Sequence, residues 1–421
     1  MPTSESKRDV TLDEILHPPD YRPRALHFAL VLTELLSRIP PLLLLPAWLG
    51  LTAIACWPWG PLRIPAAGIS LAFMALDGAG LALLPRLNRS FGPVTPPLLA
   101  LTLVRVCLTF GGGVVWGDAP ALIAIGMAQM AITAVSIYAT WVEPFRVGVT
   151  HESLHSPKLN DHTELRLLHI SDLHIERITA REQGLLDLVE RLNPDLVVLT
   201  GDYLNLSSVR DPESQEEARD LLARICGRCR GPVYAITGSP PVDLKEVVPR
   251  IFDGLPIMWL LDEVAEVEIG DQSLCIAGLR CTRERSRDAP RLPRLLADVP
   301  ADSFTLLLYH SPDLMPEAVE SGVDLYVCGH THGGQIRLPF FGALITSSAF
   351  WKRYEMGRYE ERGTTLYVSR GLGMEGLGAP RARFLSPPEI IEWTLSGADD
   401  GTPCSGNWKD VRNHTRGLPN G

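Results

Sequence analysis

The sequence predicts a chain in two parts, an amino-terminal α-helical transmembrane bundle followed by an α/β domain. Of its 421 residues 46% are hydrophobic, a high fraction beside 21% charged residues, and the apolar excess lies in the first third. From Leu165 onward, short apolar runs alternate with amphipathic helical stretches. That alternation predicts sheets covered by helices, with ligands bound at the carboxyl ends of strands.

The first third contains four apolar segments, each about as long as the roughly 20 residues that a helix needs to cross a bilayer. Turn residues separate the segments, and tryptophans lie at several of their ends, where aromatic belts form. A single cleaved signal peptide does not explain four segments; the alternative is a soluble helical bundle. The predicted spans are Ile39–Trp57, Ile64–Leu84, Pro97–Trp116 and Ala119–Trp141.

Two ionisable residues, Asp77 and Arg105, lie inside predicted spans. Charged groups at such positions usually face a partner or a water-filled cavity. We expect an interhelical Asp77–Arg105 pair, with a transport pathway as the alternative.

Charge also predicts orientation and excludes one class of partner. The loops on one side of the predicted spans hold only Arg63 and Asp118, so basic residues accumulate on the other side. The positive-inside rule then predicts a multi-pass protein of the cytoplasmic membrane with its carboxy-terminal domain in the cytoplasm. A net charge of −10 without a basic stripe argues against nucleic acid as a partner. The basic residues on the predicted cytoplasmic side are Lys7, Arg8, Arg22, Arg24, Arg86, Arg89 and Arg146.

These patterns divide the chain into four regions. A polar tail (1–24) precedes the membrane domain (25–145), whose first part, 25–37, is predicted as an interfacial helix or an extension of the first span. The α/β domain follows (146–396), and a tail rich in Gly, Asn, Asp and Pro (397–421) is predicted to be disordered.

Aspartate and histidine follow the ends of four predicted strands. The first motif is Asp172-Leu-His174, and the last is His330-Thr-His332; Asp202 and His310 follow the two strands between them. Asp-x-His and His-x-His place two side chains on one side of an extended segment. A ligand set that mixes carboxylate oxygens with imidazoles is typical of a site for Mn, Fe or Zn rather than of a structural site built from thiolates. The four segments together predict a two-metal hydrolase.

The motifs DLH, GD, YHSPD and GHTHGGQIRLPFFG, in this order, resemble those of the calcineurin-like metallophosphoesterases. The resemblance is strongest to the bacterial membrane-associated branch with amino-terminal transmembrane helices, and it covers residues 165–395, including the stretches 366–373 and 386–390. It implies a metallophosphoesterase domain (146–396) built as an αββα four-layer sandwich with a dinuclear centre at one edge.

The resemblance also implies the roles of the motif residues. Asp172, His174 and His332 would hold one metal ion. His310 and His330 would hold the second, and Asp202 would bridge both, with Asp202 and His330 as the catalytic residues. The implied cofactors are two divalent ions (Mn, Fe, Zn or Mg). The implied reaction is hydrolysis of a phosphomonoester or phosphodiester by a hydroxide that bridges the ions.

One family motif is replaced. After its third strand the family has Gly-Asn-His followed by Asp or Glu, and this chain has Gly238-Ser239-Pro240-Pro241. Ser239 offers only a hydroxyl, a weak metal ligand or substrate contact, and Pro240 has no side-chain donor or acceptor. The replacement predicts a weaker second metal site and the loss of the general acid.

Three functions therefore remain open. The first is a membrane-anchored metal-dependent phosphohydrolase of reduced turnover. Its substrate would be a phosphoester, and tethering to the membrane favours one that is lipid-linked or surface-bound. The second is a catalytically impaired relative that binds a phosphorylated ligand or partner. The third is a membrane transporter or sensor with an appended metal-binding domain.

Overall fold

The computed structural model describes residues 33–161, 163–378 and 380–397. The predicted polar tail, most of the predicted interfacial helix at 25–37 and the predicted disordered tail after residue 397 lie outside the described residues.

The apolar part of the chain forms an α-helical bundle. Irregular helical turns precede the first helix at Pro41–Leu44 and follow the last one at residues 138–145. Many large apolar side chains point outward, and Ile54, Ile64 and Val115 are each more than 60% exposed. An outward apolar surface of this kind suits contact with lipid. The helices are α1 (Leu45–Cys56), α2 (Arg63–Arg86), α3 (Thr95–Val115) and α4 (Ala119–Ile137).

By length and composition, three helical stretches of the described chain can cross a membrane: Pro41–Arg86, Thr95–Val115 and Ala119–Phe145. The sequence predicts four spans, and the difference lies in the first stretch. There α1 and α2 are joined by a 3₁₀ turn in which Gly60 is non-helical, with φ 54°. Because α1 has only 12 residues, fewer than the roughly 20 that a crossing needs, a separate crossing by this segment stays a prediction.

The expected Asp77–Arg105 pair is confirmed. Nε and Nη2 of Arg105 donate to the two carboxylate oxygens of Asp77 at 2.8 and 3.0 Å. The guanidinium also donates to Gln129 and to Thr133 of α4. Both charged side chains are buried, so their charges are satisfied by each other and by polar neighbours. The pair therefore ties α2, α3 and α4 together.

The carboxy-terminal part contains two six-stranded sheets. The first sheet has the spatial order β1 (Gly148–His155), β14 (Glu389–Ser396), β2 (Leu165–Ile170), β3 (Leu196–Leu199), β4 (Val233–Ala235), β5 (Ile257–Trp259). The second has the order β12 (Gly357–Glu361), β13 (Thr364–Val368), β9 (Leu325–Cys328), β8 (Phe304–Leu308), β7 (Gln272–Gly278), β6 (Glu263–Ile269). A small separate hairpin pairs β10 (Arg337–Leu338) with β11 (Gly342–Ala343).

The two sheets pack face to face, and helices cover their outer faces. The core between the sheets includes Leu167 of β2, Leu306 of β8 and Trp393 of β14. A second core lies between the first sheet and its helices, and a third lies against the outer face of the second sheet. The order of layers is therefore helix, sheet, sheet, helix. The helices are α5 (Ala180–Leu192), α6 (Pro212–Cys226) and α7 (Val248–Phe252) on the first sheet, and α8 (Arg285–Asp288), α9 (Arg291–Leu295) and α10 (Met315–Glu320) on the second.

The four strands predicted before Asp172, Asp202, His310 and His330 all form, as β2, β3, β8 and β9, but the sequence patterns miss several edge strands. β1 pairs in parallel with β14, although its side chains alternate only between exposed and partly buried positions. An edge strand of this kind carries little hydrophobic signal, because pairing with its neighbour rather than burial stabilises it.

The domain is fixed to the helical bundle at the end of α4. The buried carboxylate of Glu143 accepts the backbone N–H groups of Leu385 and Ser386 at 3.0 and 2.6 Å. The N–H of Arg383 donates to the carbonyl of Ala139 at 2.8 Å. The same face of the bundle includes the α2–α3 loop, where the Asn88 side chain donates to the Ile178 carbonyl.

Candidate metal centre

The site lies where the carboxyl ends of the two sheets meet. In the first sheet β2, β3 and β4 run parallel, and in the second β8 and β9 run parallel. Parallel strands direct the loops after them to the same edge of a sheet. Those loops carry all six predicted metal ligands, which form two buried groups.

The first group consists of Asp172, His174 and His332. The Nε2 atoms of His174 and His332 are 3.1 Å apart, and Nε2 of His332 is 3.7 Å from Oδ1 of Asp172. All three side chains are buried. Three nitrogen and oxygen atoms thus converge on one point, as the ligands of a single cation do.

The second group consists of Asp202, His310 and His330. Oδ2 of Asp202 is 3.1 Å from Nε2 of His310, and the rings of His310 and His330 lie with their centroids 4.9 Å apart. The same Oδ2 is 3.7 Å from Nε2 of His174 in the first group. Asp202 therefore lies between the two groups, the position that a bridging carboxylate requires.

The backbone at the site is strained in a consistent way. Five of the six predicted ligands have φ between 43° and 70°, in the left-handed region that residues other than glycine seldom adopt. Tertiary hydrogen bonds hold this conformation: the N–H of Asp172 donates to the Gly201 carbonyl, and the N–H of His174 to the Asp202 carbonyl. Such strain persists where the surrounding fold fixes it, often at functional sites. The five residues are Asp172, His174, Asp202, His330 and His332.

Gly329 shows how closely the loops approach. A Cβ atom at this position would overlap the carboxylate of Asp172. That carboxylate instead accepts the N–H of His330 at 3.0 Å and the hydroxyl of Ser171 at 2.6 Å. The absence of a side chain at 329 thus lets the loop after β9 reach the loop after β2.

The two carboxylates of the site differ in their electrostatics. Burial raises the pKa of Asp172 above its usual range. Burial would also raise the pKa of Asp202, but the charge and hydrogen bond of His310 outweigh it and lower the pKa well below its usual range. For His310, burial lowers the pKa, but Asp202 raises it to about 9. In the metal-free protein Asp202 and His310 therefore form a buried ion pair.

The two histidines of the His-x-His motif, His330 and His332, have lowered rather than raised pKa values. Burial, together with the charges of Arg283 and His310, lowers the pKa of His330 well below its ordinary value. Burial and the neighbouring His174 do the same to His332. Both imidazoles are thus neutral at physiological pH, the form that coordinates metal ions. Neutral imidazoles facing buried carboxylates fit two divalent cations.

The replaced loop after β4 reaches the second group. The Ser239 hydroxyl is 3.2 Å from Nε2 of His310 and 3.3 Å from Nδ1 of His330, and its N–H donates to Oδ1 of Asp202 at 2.6 Å. Ser239 is buried. The serine thus occupies the place expected of a ligand to the second ion.

Two carboxylates that the motifs do not identify also belong to the site. Asp243 is buried and accepts the N–H groups of Gly238, Asp202 and Tyr203 at 2.6, 2.8 and 3.0 Å. Burial and the charge of Asp202 raise its pKa to about 7. Glu375 forms a third candidate group with His174 and Asp202. Neither residue belongs to a motif with a recognisable ligand spacing. The sequence therefore does not identify them, and only the tertiary fold brings them to the loops of the site.

A cleft lined by both polar and apolar side chains opens above the two groups. It gives solvent and ligands access to both groups, through His332 and His330, and to Glu375. Its walls include Ser239, Arg283, His330, His332, Gln335 and Glu375.

Comparisons with known proteins agree with this geometry. Residues 165–334 match the family described as Calcineurin-like phosphoesterase. An uncharacterized metallophosphoesterase of Bacillus subtilis, YkuE, is 27% identical over 270 residues, covering 62% of this chain and 90% of the relative. The UDP-2,3-diacylglucosamine pyrophosphatase LpxG of Chlamydia trachomatis is 25% identical over 310 residues, covering 60% of this chain and 91% of the relative.

Among solved structures, a dimetal phosphatase from Danio rerio aligns with a TM-score of 0.34 at 13% identity, covering 52% of this chain and 89% of the other. Resemblance of the motifs, the family match and the named relatives all agree. The chain therefore carries a calcineurin-like metallophosphoesterase domain, the domain of a phosphoester hydrolase.

Proposed function

We propose that this protein is a membrane-anchored, metal-dependent phosphohydrolase. The observation that carries the proposal is the pair of buried three-residue groups with the Asp202 carboxylate between them. Two divalent ions held there would supply Lewis acidity toward phosphoryl oxygens and a lowered pKa for an attacking water. Imidazole and carboxylate ligands are compatible with Mn, Fe, Zn or Mg.

The residues of the chain have separate tasks in this proposal. Asp172, His174 and His332 would hold the first ion, His310 and His330 would hold the second, and Asp202 would contact both. His330 also lines the cleft, where its imidazole would be available to the phosphate of a bound substrate. Ser239 contributes a weak ligand at the second ion.

The Gly238–Pro241 loop limits the rate in this proposal. Pro240 has no group that protonates a leaving oxygen, so substrates with good leaving groups are favoured. Pyrophosphates and activated esters belong to that class, because their leaving groups depart without a proton.

We infer a lipid-linked phosphoester as the substrate class. The Chlamydia trachomatis relative is named for a substrate with two acyl chains, and the apolar helices would hold the metal domain beside a bilayer. Arg86 ends α2, Arg89 lies in the α2–α3 loop and Arg146 follows Glu143; Asn88 of the same loop and Glu143 both bond to the metal domain. Positive-inside bias then puts the domain on the cytoplasmic side.

The test uses the full chain in detergent, loaded in turn with Mn²⁺, Mg²⁺, Fe²⁺ or Zn²⁺. We expect hydrolysis of a lipid-linked pyrophosphate or diester with at least one of these ions, and no hydrolysis after Asp202→Asn. Absence of hydrolysis with every ion, in protein that binds two ions, would refute the phosphohydrolase. A reporter fused after Ser396 checks the orientation, since it should be active only in its cytoplasmic form.

A second candidate is the catalytically impaired relative that binds a phosphorylated ligand. The Ser239-Pro240 replacement favours this candidate, because the replacement weakens binding of the second ion and removes a proton donor. The metal content of the purified chain separates the two: about two ions per chain supports the hydrolase, whereas one ion and phosphate binding without turnover supports the binding protein.

A further inference from the structure

One surface of the metal domain is apolar although the rest is not. Outside the helical bundle, eight large hydrophobic side chains of the described chain are exposed, and six of them lie between residues 338 and 351. Phe340, at the tip of the β10–β11 hairpin, is fully exposed. We call this surface the hairpin patch; it consists of Leu338, Phe340, Phe341, Leu344, Ile345 and Trp351.

The base of the hairpin patch is fixed to the end of the last membrane helix. Ile336 bridges to Phe384, and the Arg337 N–H donates to the Phe384 carbonyl at 2.9 Å. The ring of Phe384 packs edge-on against Tyr138 with centroids 6.3 Å apart. Tyr138 immediately follows α4, about 30 Å along the helix from Ala119 at 1.5 Å per residue. That distance is about the thickness of the hydrocarbon core, so an α4 that crosses a bilayer from Ala119 would bring the base of the patch to the level of the interface.

The other end of the same segment belongs to the metal site. His332 is followed within four residues by Ile336, and the cleft above the metal groups is lined by Gln335 and Ile345. The hairpin patch therefore lies between the end of α4 and the cleft. A molecule held on the patch would have its polar end close to the metal groups.

The composition of the hairpin patch suits the interfacial region of a bilayer. Aromatic side chains concentrate at that depth, and amphipathic cations accompany them. The ammonium of Lys352 lies 3.2 Å from the ring centre of Phe341 and donates to the Phe341 carbonyl at 2.6 Å. The patch thus presents apolar rings with a cation over the face of one of them.

We propose that the hairpin patch inserts into the bilayer that holds the helices and guides lipid-linked phosphoesters from the membrane surface into the cleft. The occupant is the lipid bilayer, because the patch is continuous with the membrane end of the bundle through Phe384 and Tyr138. The guiding role rests on the proposed function, whereas the insertion itself does not.

Insertion is tested without any assay of activity. The photoreactive p-benzoylphenylalanine replaces Phe340 in the full chain, reconstituted in vesicles of phosphatidylethanolamine and phosphatidylglycerol. The matched control replaces Met258, an exposed hydrophobic residue on β5, at the far edge of the first sheet. We expect lipid adducts at 340 at least about tenfold more abundant than at 258. Equal lipid labelling at both positions, or adducts of 340 mainly with protein, would overturn the proposal.

The guiding role is tested with Phe340→Asp, a change at a fully exposed position. We expect about a tenfold loss of hydrolysis for a lipid phosphodiester in vesicles, while hydrolysis of water-soluble bis(p-nitrophenyl) phosphate is unchanged, and Phe340→Leu retains most activity on both. An equal loss on both substrates would contradict guidance. If the wild type hydrolyses neither substrate, the proposed function fails, and photolabelling alone still decides insertion.

Discussion

The hydroxyl oxygen of Ser239 lies 3.2 Å from Nε2 of His310, inside the group of residues assigned to the second ion. A hydroxyl so placed is a poorer ligand than an amide oxygen, and the neighbouring Pro240 offers no proton. The loop nevertheless keeps a defined conformation, because the carboxylate of Asp243 accepts the N–H of Gly238.

The first prediction concerns this loop. Ser239→Asn together with Pro240→His supplies an amide oxygen and a proton donor. We expect phosphodiester hydrolysis to rise about tenfold or more, the low end of what a positioned general acid contributes. The gain should be largest for esters with poor leaving groups. Steady-state rates on esters of graded leaving-group pKa measure it.

The matched control is Ser239→Asn with Pro240→Gln, in which a polar side chain replaces the histidine but cannot act as an acid. The two double variants should bind two ions equally and differ in rate. If both bind two ions and hydrolyse at the rate of the unchanged protein, the loop does not limit catalysis.

The second prediction concerns Asp202. Asp202→Asn preserves size but removes the charge that lies 3.1 Å from His310 and 3.7 Å from His174. We expect metal content to fall from about two ions per chain toward none, because this carboxylate lies between both groups and offsets the repulsion between the ions. Elemental analysis by mass spectrometry measures the content. Asp187→Asn, at an exposed position on α5, is the control; two retained ions in the Asp202 variant would disprove bridging.

The third prediction concerns proton release. Because Asp202 raises the pKa of His310 to about 9, the metal-free protein carries this proton at pH 7–8, and coordination of His310 must expel it. Metal affinity should therefore increase with pH up to about 9, by about tenfold per pH unit for this one proton. Calorimetric titration in two buffers with different ionisation enthalpies should show about one proton released from His310. The variant His310→Gln should release about one proton fewer; enthalpies independent of buffer would argue against the charged His310.

The fourth prediction concerns the buried pair in the helical bundle. Removing one partner, as in Asp77→Leu, leaves the Arg105 charge uncompensated and should lower the free energy of unfolding by about 3–5 kcal/mol. The double change Asp77→Leu with Arg105→Leu should recover most of the loss, because two apolar side chains need no pairing. Thermal unfolding in detergent measures both. If the double variant remains stable but loses hydrolysis by an otherwise intact metal domain, the pair has a role beyond structure, as a transporter or sensor would require.

Much of the fold follows from local patterns. The apolar segments give the helices of the bundle, and the runs before Asp172, Asp202, His310 and His330 give buried strands whose ends carry the ligands. A strand that is covered on both faces has a continuous apolar run in its own sequence, so local sequence is enough to predict these elements. Local sequence does not predict β1 and β12, because an edge strand depends on pairing with its neighbour rather than on burial.

What the sequence by itself determined is the chemistry: two histidine motifs and two aspartates after strands, a replaced Gly-Asn-His motif, and an apolar first third. Only the tertiary structure decided that Asp202 lies between both groups, that Asp243 and Glu375 join them, and that the hairpin patch meets the end of α4 through Phe384 and Tyr138. The physical reason is that motif spacing fixes which donors are present, whereas distances between loops depend on how the two sheets and the helical bundle pack.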